Sequence, residues 1–156
     1  MELSIFQFAR ISRGEDTSSS AVYFFTSHFF TALISDGPEA VSSWTANKKI
    51  NVFEKKFIFI PINADLHWSL CVIVNCDKIK EWKKEPSELD EIPCLLFFDS
   101  LKAHRKQRVA IKLRQWLKFE ADRLNVSVDD EIFAVKSLPI VAPNSKHFSD
   151  FFDSLF

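Results

Sequence analysis

Two apolar runs constrain the fold of this chain more than any other feature. The first covers residues 57–70 and reads FIFIPINADLHWSL, and the second covers residues 94–101 and reads CLLFFDSL. We expect strands over residues 57–62, 68–75 and 93–99, with residues 68–75 central because they are apolar on both faces. The last two most simply pair antiparallel, although the 17 residues between them leave room for a crossover.

The other elements are predicted from periodicity and from turn residues. Thr26 is well placed to cap a helix over residues 27–34. Pro38 is well placed to begin a second helix that runs to about residue 47. Residues 102–124 have apolar side chains at helical spacing, which predicts a third helix. Residues 3–11 favour a short helix and residues 12–20 a loop. Residues 21–25 and residues 132–138 favour strands. The tail after residue 138 contains prolines that break regular structure. The pattern predicts an α+β fold with a mostly antiparallel central sheet flanked by helices.

Composition bounds the class of protein. The chain has 156 residues, which fits a single domain, and a net charge of −1, which gives no reason to expect nucleic acid as a partner. No apolar run is long enough to span a membrane, so we expect no membrane partner. The three cysteines have no framework spacing and predict free thiols, hence an intracellular location in the nucleus or cytoplasm. We expect a monomer without a cofactor.

His67 and Asp99 are the candidate catalytic pair. In the antiparallel arrangement, the start of one strand and the end of the next share a sheet edge, so the two residues become neighbours. A carboxylate there would fix the imidazole tautomer and leave its other nitrogen free as a base. The alternative is a surface histidine with no catalytic role. Trp68, taken alone, reads as a core residue. Ligand spacing gives no reason to expect a metal, since Cys71 and Cys76 have no partner ligands.

At this point the residues resemble a known family. The runs IFIPINADLHWSL and CLLFFDSL, together with YFFTSHFFTAL and the Trp44-Thr45 segment, are similar to the Ulp/SENP-type SUMO-specific cysteine proteases, in particular the poly-SUMO-trimming branch. The resemblance covers about residues 22–138, with residues 139–156 divergent. It implies a papain-like α+β fold, and cleavage of amide or isopeptide bonds after the C-terminal Gly-Gly of SUMO or a related ubiquitin-like modifier.

The resemblance also implies roles for individual residues. His67 matches the general base, Asp99 the residue that orients it, and Trp68 the aromatic that covers the substrate channel. The family's nucleophile follows the last strand in an Asp-Cys-Gly segment with a glutamine upstream, and residues 138–156 contain no Cys, Gln or Gly. We therefore expect a partial catalytic domain, cut or replaced at both ends and inactive as printed.

None of the three thiols is expected to replace this nucleophile. Cys71 lies four residues along the strand from His67, roughly 13 Å away. Cys94 faces the opposite side of its strand from Asp99, and Cys76 lies at the far end of the hairpin. Ser145 and Ser149 have no expected oxyanion site nearby. Three hypotheses remain: a protease domain lacking its nucleophile segment, a pseudo-protease that binds a ubiquitin-like modifier, and a decayed core whose basic helix face is an interaction surface. That basic face comprises Lys102, Arg105, Lys106, Arg108, Lys112, Arg114 and Lys118.

Overall fold

The structure is a computed structural model that describes residues 21–88 and 90–143. The predicted helix at residues 3–11, the predicted loop at 12–20, and Ser145 and Ser149 of the tail lie outside the described residues. Within the described part, no helix is long and apolar enough to cross a membrane.

Five strands form one mixed sheet in the order of the sequence. They are β1 (Val22–Phe24), β2 (Phe57–Ala64), β3 (His67–Val74), β4 (Cys94–Phe98) and β5 (Ile140–Val141). The three central strands pair antiparallel, whereas β1 and β5 pair parallel to their neighbours at the two edges. The predicted antiparallel pairing and the central place of β3 are confirmed.

Alternation along the strands divides the core into two clusters. Ile58, Ile60 and Ile62 of β2 point to one face of the sheet, together with Cys71 and Ile73 of β3. The intervening side chains form a second cluster on the other face: Phe57, Phe59, Val72, Val74, Leu96 and Phe98. Because both faces are buried, a shift of register by one residue would exchange the two sets completely, so the strand pairing is strongly specified.

The first helix, α1 (Ser27–Asp36), packs on the first cluster. Phe29, Phe30 and Leu33 are buried as predicted, but Ile34 is 45% exposed, so its predicted place on the buried face is wrong. Thr26 occupies the N-cap position without a side-chain hydrogen bond. Gly37 ends the helix at φ 85°, a backbone angle that other residues adopt only with strain, and its amide donates to the Leu33 carbonyl at 3.1 Å.

The helix predicted to begin at Pro38 is much shorter than expected. Turns occupy residues 38–41, and α2 covers only Ser42–Ala46. The Ser42 amide donates to the Glu39 carbonyl and the Trp44 amide to the Val41 carbonyl, which are three-residue spacings rather than those of an α-helix. Trp44 still reaches the core, with its ring 5.9 Å from that of Phe29.

The long helix, α3 (Lys106–Arg123), begins four residues later than predicted. Its buried face includes Val109, Leu113, Trp116 and Leu117, as its periodicity indicated. Arg114 does not belong to the solvated basic face: it is 5% exposed, and its Nε and Nη2 donate to the Leu138 carbonyl at 3.0 and 2.8 Å. The guanidinium thereby holds the chain that leads into β5 against α3.

The strand predicted over residues 132–138 is wrong. A 3₁₀ helix, Asp130–Phe133, is followed by turns, and the Asp129 carboxylate caps it by accepting from the Glu131 amide at 2.9 Å. Ile132 and Leu138 are both fully buried, so their apolar character reflects burial and not strand pairing. The strand lies further along, as β5, in a segment predicted to be irregular.

Candidate active site

A two-residue turn between β2 and β3 places His67. Ala64 and His67 pair directly across the ladder, and Asp65 and Leu66 connect them with φ of 54° and 58°. Positive φ at both central residues is the geometry of the tightest hairpin loops, whose twist matches that of the strands. His67 is therefore the first residue of β3 and not a residue of a flexible loop.

His67 and Asp99 lie together at this edge of the sheet, as the sequence argument expected. Asp99 directly follows β4, and its Oδ1 lies 2.5 Å from His67 Nε2. The His67 and Asp99 side chains are 13% and 3% exposed. Since an ionised carboxylate can only accept, Nε2 carries the hydrogen, and Nδ1 is left with its lone pair. Among the described residues, no hydrogen bond engages Nδ1.

The loop after β4 is built around the Asp99 carboxylate. Its Oδ1 also accepts from the Leu101 amide at 3.2 Å, and its Oδ2 accepts from the His104 amide at 2.7 Å. Burial raises the pKa of Asp99, but the hydrogen bonds from His104, His67 and Leu101 outweigh it, so that the pKa lies below its ordinary value. These bonds also explain why α3 begins later than predicted: residues 101–104 wrap around the carboxylate instead of continuing the helix.

Trp68 and Leu66 project from the same hairpin. Trp68 is 58% exposed and Leu66 is fully exposed, so the interpretation of Trp68 as a core residue is wrong. Two large apolar side chains beside a catalytic candidate form a small patch able to contact a partner. The predicted role of Trp68 in covering a substrate channel stays a prediction.

The three thiols lie away from His67. Cys71 pairs with Phe97 in the middle of the sheet, Cys76 follows β3 at the far end, and Cys94 begins β4 at that same end. Burial raises the pKa of Cys71 and Cys76 well above the ordinary value, and raises that of Cys94 to about 11. A protonated thiol is a poor nucleophile, so neither position nor ionisation fits these residues for attack.

His104 is a site residue that the sequence argument missed. Its ring centroid lies 4.9 Å from that of His67, and it contacts both Ala64 and Ser69 of the hairpin. Nothing in the local sequence distinguishes it from a surface histidine at the start of a helix. Only the tertiary structure, in which the loop after β4 folds against the β2–β3 turn, brings it to the site.

Three donor groups at this edge have the composition of a metal site. Ligand atoms of His67, Asp99 and His104 lie within 4.8 Å of one another. A metal would compete with the His67–Asp99 bond and with the bonds that engage both ring nitrogens of His104. These hydrogen bonds already engage His67 Nε2, Asp99 Oδ1 and both ring nitrogens of His104.

Comparison with known proteins decides the family. A model of the C-terminal catalytic domain of the Ulp1 protease family matches residues 3–148. The chain belongs to this family. The resemblance and the α+β, papain-like fold of the Ulp/SENP type inferred from it are confirmed, and the family is one of SUMO-specific cysteine proteases.

Individual relatives agree with this assignment. The chain is 28% identical over 143 residues to ubiquitin-like-specific protease 2 of Saccharomyces cerevisiae, an alignment that covers 83% of this chain and 13% of that protein. It is 31% identical over 111 residues to human sentrin-specific protease 2, which covers 71% of this chain and 16% of the relative. The chain therefore spans only a small part of these relatives.

Solved structures show the same fold. A de-sumoylating protease superposes with a TM-score of 0.66 at 21% identity, covering 98% of this chain and 58% of that one. The Ulp1 protease domain in complex with Smt3, the yeast ortholog of SUMO, superposes with a TM-score of 0.56 at 19% identity, covering 99% and 63%.

Proposed function

We propose that this chain recognises SUMO or a related ubiquitin-like modifier and carries the general base of a deconjugating cysteine peptidase. The observation that carries the proposal is the contact of 2.5 Å between His67 Nε2 and Asp99 Oδ1, at a sheet edge flanked by the exposed Trp68. Family membership supports the substrate class. An intracellular location in the nucleus or cytoplasm and a monomeric state are part of the same proposal.

We propose a part in the chemistry for each of these residues. His67 Nδ1 takes the proton of a cysteine thiol as its sulfur attacks the carbonyl carbon, and returns that proton to the departing amine as the acyl thioester forms. Asp99 holds the Nε2–H tautomer and stabilises the imidazolium that exists between these two transfers. We propose that Trp68 covers the path of the modifier's C-terminal Gly-Gly, where an indole ring would exclude residues with side chains larger than that of glycine.

The thiols of the printed sequence do not complete this machinery. Cys71, Cys76 and Cys94 are all placed away from His67, and burial keeps each of them protonated at neutral pH. We therefore propose that the 156 residues bind the modifier without hydrolysing it, and that catalysis requires a nucleophile that these three thiols do not supply. The second candidate function is that of a pseudo-protease, for which binding is the whole function and no nucleophile is needed. The burial of all three thiols favours it, whereas the retained His67–Asp99 pair favours the first.

Intact mass spectrometry tests the catalytic half of this proposal. The chain is incubated with SUMO that carries a thiol-reactive group in place of its C-terminal carboxylate, and with iodoacetamide as a control for general thiol reactivity. We expect no SUMO adduct. A stoichiometric adduct that His67→Ala abolishes would show that one of the three cysteines reaches the base, which would overturn the geometric argument.

Titration of the labelled chain with SUMO tests the recognition half. We expect saturable shifts of amide resonances around the β2–β3 turn, and a loss of affinity of about tenfold or more for Trp68→Ala, the usual scale for a buried tryptophan contact. Ile111→Ala is the matched control, because Ile111 is similarly exposed at 49% but lies on the outer face of α3. Absence of shifts at saturating concentrations would refute recognition of SUMO by this chain.

A further inference from the structure

His104 connects the two chain segments that carry the candidate catalytic pair. Its backbone amide donates to Asp99 Oδ2 at 2.7 Å, so it fixes the carboxylate oxygen that His67 does not contact. This bond belongs to the main chain, so it depends on where residue 104 lies and not on its side chain. The imidazole is therefore free to make contacts elsewhere.

The imidazole of His104 contacts the hairpin on both sides of His67. Its Nε2 lies 2.9 Å from the Ala64 carbonyl, and its Nδ1 lies 2.7 Å from Ser69 Oγ. A carbonyl can only accept, so Nε2 carries the hydrogen and Nδ1 accepts from the serine hydroxyl. One neutral tautomer of His104 satisfies both contacts at once.

These contacts determine how His67 and Asp99 face each other. Ala64 lies three residues before His67, at the end of β2, and Ser69 lies two residues after it, in β3. Asp99 and His104 are the two ends of the loop that presents the carboxylate. A catalytic pair needs its atoms held to within about 0.5 Å by packing and supporting hydrogen bonds. The β3–β4 ladder aligns the two strands, and His104 adds hydrogen bonds beyond the strand ends, where His67 and Asp99 lie.

We propose that His104 is a positioning residue that locks the β2–β3 turn to the loop after β4 and thereby holds His67 in the Nε2–H tautomer. This inference rests on the proposed role of His67 as the general base. His104 does not touch the reacting atoms. Its effect is exerted through the orientation of the imidazole and carboxylate that it brings together.

The tautomers of the histidine rings test the proposal directly. Long-range proton–nitrogen correlation spectra of the labelled 156-residue chain, recorded without SUMO above the range in which histidine is charged, distinguish protonated from unprotonated ring nitrogens. We expect a single Nε2–H form for both His67 and His104. In His104→Ala we expect the His67 signals to lose this single-tautomer pattern and its Nε2 proton to exchange faster with water.

Two further variants separate positioning from general destabilisation. His104→Gln retains a side-chain donor for the Ala64 carbonyl, and we expect it to restore most of the His67 pattern. Ser69→Ala removes only the contact to Nδ1, and we expect it to weaken the single-tautomer pattern of His67 less than His104→Ala does. If His104→Ala fails to fold, Ser69→Ala takes its place, and an unchanged His67 pattern in it overturns the proposal. His28→Ala is the control, since His28 is an exposed histidine on α1, and it leaves the His67 signals unchanged.

The proposal is overturned if His104→Ala folds and His67 keeps the wild-type tautomer and exchange rate. It is also overturned if His104→Gln behaves like His104→Ala. Because the spectra are recorded without SUMO, failure of the chain to bind SUMO does not affect this result. A chain that binds SUMO but shows no dependence of His67 on His104 retains the proposed function and loses only the positioning role.

Discussion

Replacing Asp99 by asparagine tests the energetic core of the candidate site. Asp99 accepts three hydrogen bonds, from His67 Nε2 and from the amides of Leu101 and His104. Asn has one oxygen and one NH₂ group at the same positions, so it cannot accept all three. Whichever way the amide is turned, its NH₂ group faces a donor, either the His104 amide or His67 Nε2.

The magnitude follows from that count. A hydrogen bond to an ionised group contributes about 1.5–3 kcal/mol, against about 0.5–1.5 kcal/mol for a neutral one, and an unsatisfied buried donor costs about 1–3 kcal/mol. In the less costly orientation, with NH₂ facing the His104 amide, two bonds are weakened and one is lost. Reduced by relaxation of the loop, this gives about 2–4 kcal/mol of destabilisation at neutral pH. This is less than the total stability of a typical domain, about 5–15 kcal/mol, so the variant should remain folded.

The pH dependence provides an independent check of the same bonds. The pKa of Asp99 is lowered in the folded chain, so its contribution is present above the unfolded pKa of about 3.9 and is lost as pH falls through the folded value. The difference in stability between wild type and Asp99→Asn should therefore shrink on acidification below pH of about 4. A difference that grew as the pH fell below about 4 would contradict the assigned direction.

Urea unfolding measures both effects. The control is Asp122→Asn, because Asp122 is an exposed carboxylate on α3. We expect its urea midpoint to match that of wild type at neutral pH. If Asp99→Asn lowered the free energy of unfolding no more than Asp122→Asn does at neutral pH, the three hydrogen bonds would not exist in solution. The geometry proposed for the base would then be wrong.

Two further substitutions test the turn and the interior. Leu66→Gly should raise stability by about 0.5–1 kcal/mol, because glycine adopts the φ of 58° without strain; a loss of stability would show that the exposed leucine has a packing role. Glu120→Gln should cost about 2–3 kcal/mol, since the fully buried carboxylate accepts two bonds from Arg123 and one from Thr45. The control is Asp130→Asn, a change at an exposed carboxylate, which should alter stability by less than about 0.5 kcal/mol. Equal effects of the two carboxylate changes would refute the assigned importance of burial.

The central sheet could be predicted because its signal is local. Residues 57–62, 68–75 and 93–99 are apolar runs of strand length, and residues 68–75 are apolar on both faces. Antiparallel pairing of neighbours joined by a surface connection brings His67 and Asp99 to one edge without knowledge of the rest of the chain. The periodicity of α3 identified its buried face for the same reason. Each of these inferences uses only spacing and side-chain size.

The errors have tertiary causes. Arg114 looks like a member of the basic face, but the Leu138 carbonyl binds its guanidinium in the interior. Ile132 and Leu138 look like strand residues, but they are buried by a 3₁₀ helix and turns. His104 had no signal at all. For Arg114 and His104, a backbone carbonyl distant in sequence determines where the side chain lies. For Ile132 and Leu138, burial in the core does.

The nearest-neighbour order of β2, β3 and β4 has a consequence for folding during synthesis. Among the described residues, the hydrogen-bond partners of His67, Asp99 and His104 all lie between residues 64 and 104. We therefore expect that the pair can form once this segment has left the ribosome. β5 pairs with β4 only across α3 and must join later. Pairings between sequence neighbours close small loops and form early, whereas parallel pairings across a helix are slower. A nascent chain should therefore present an assembled imidazole–carboxylate pair before its sheet is complete.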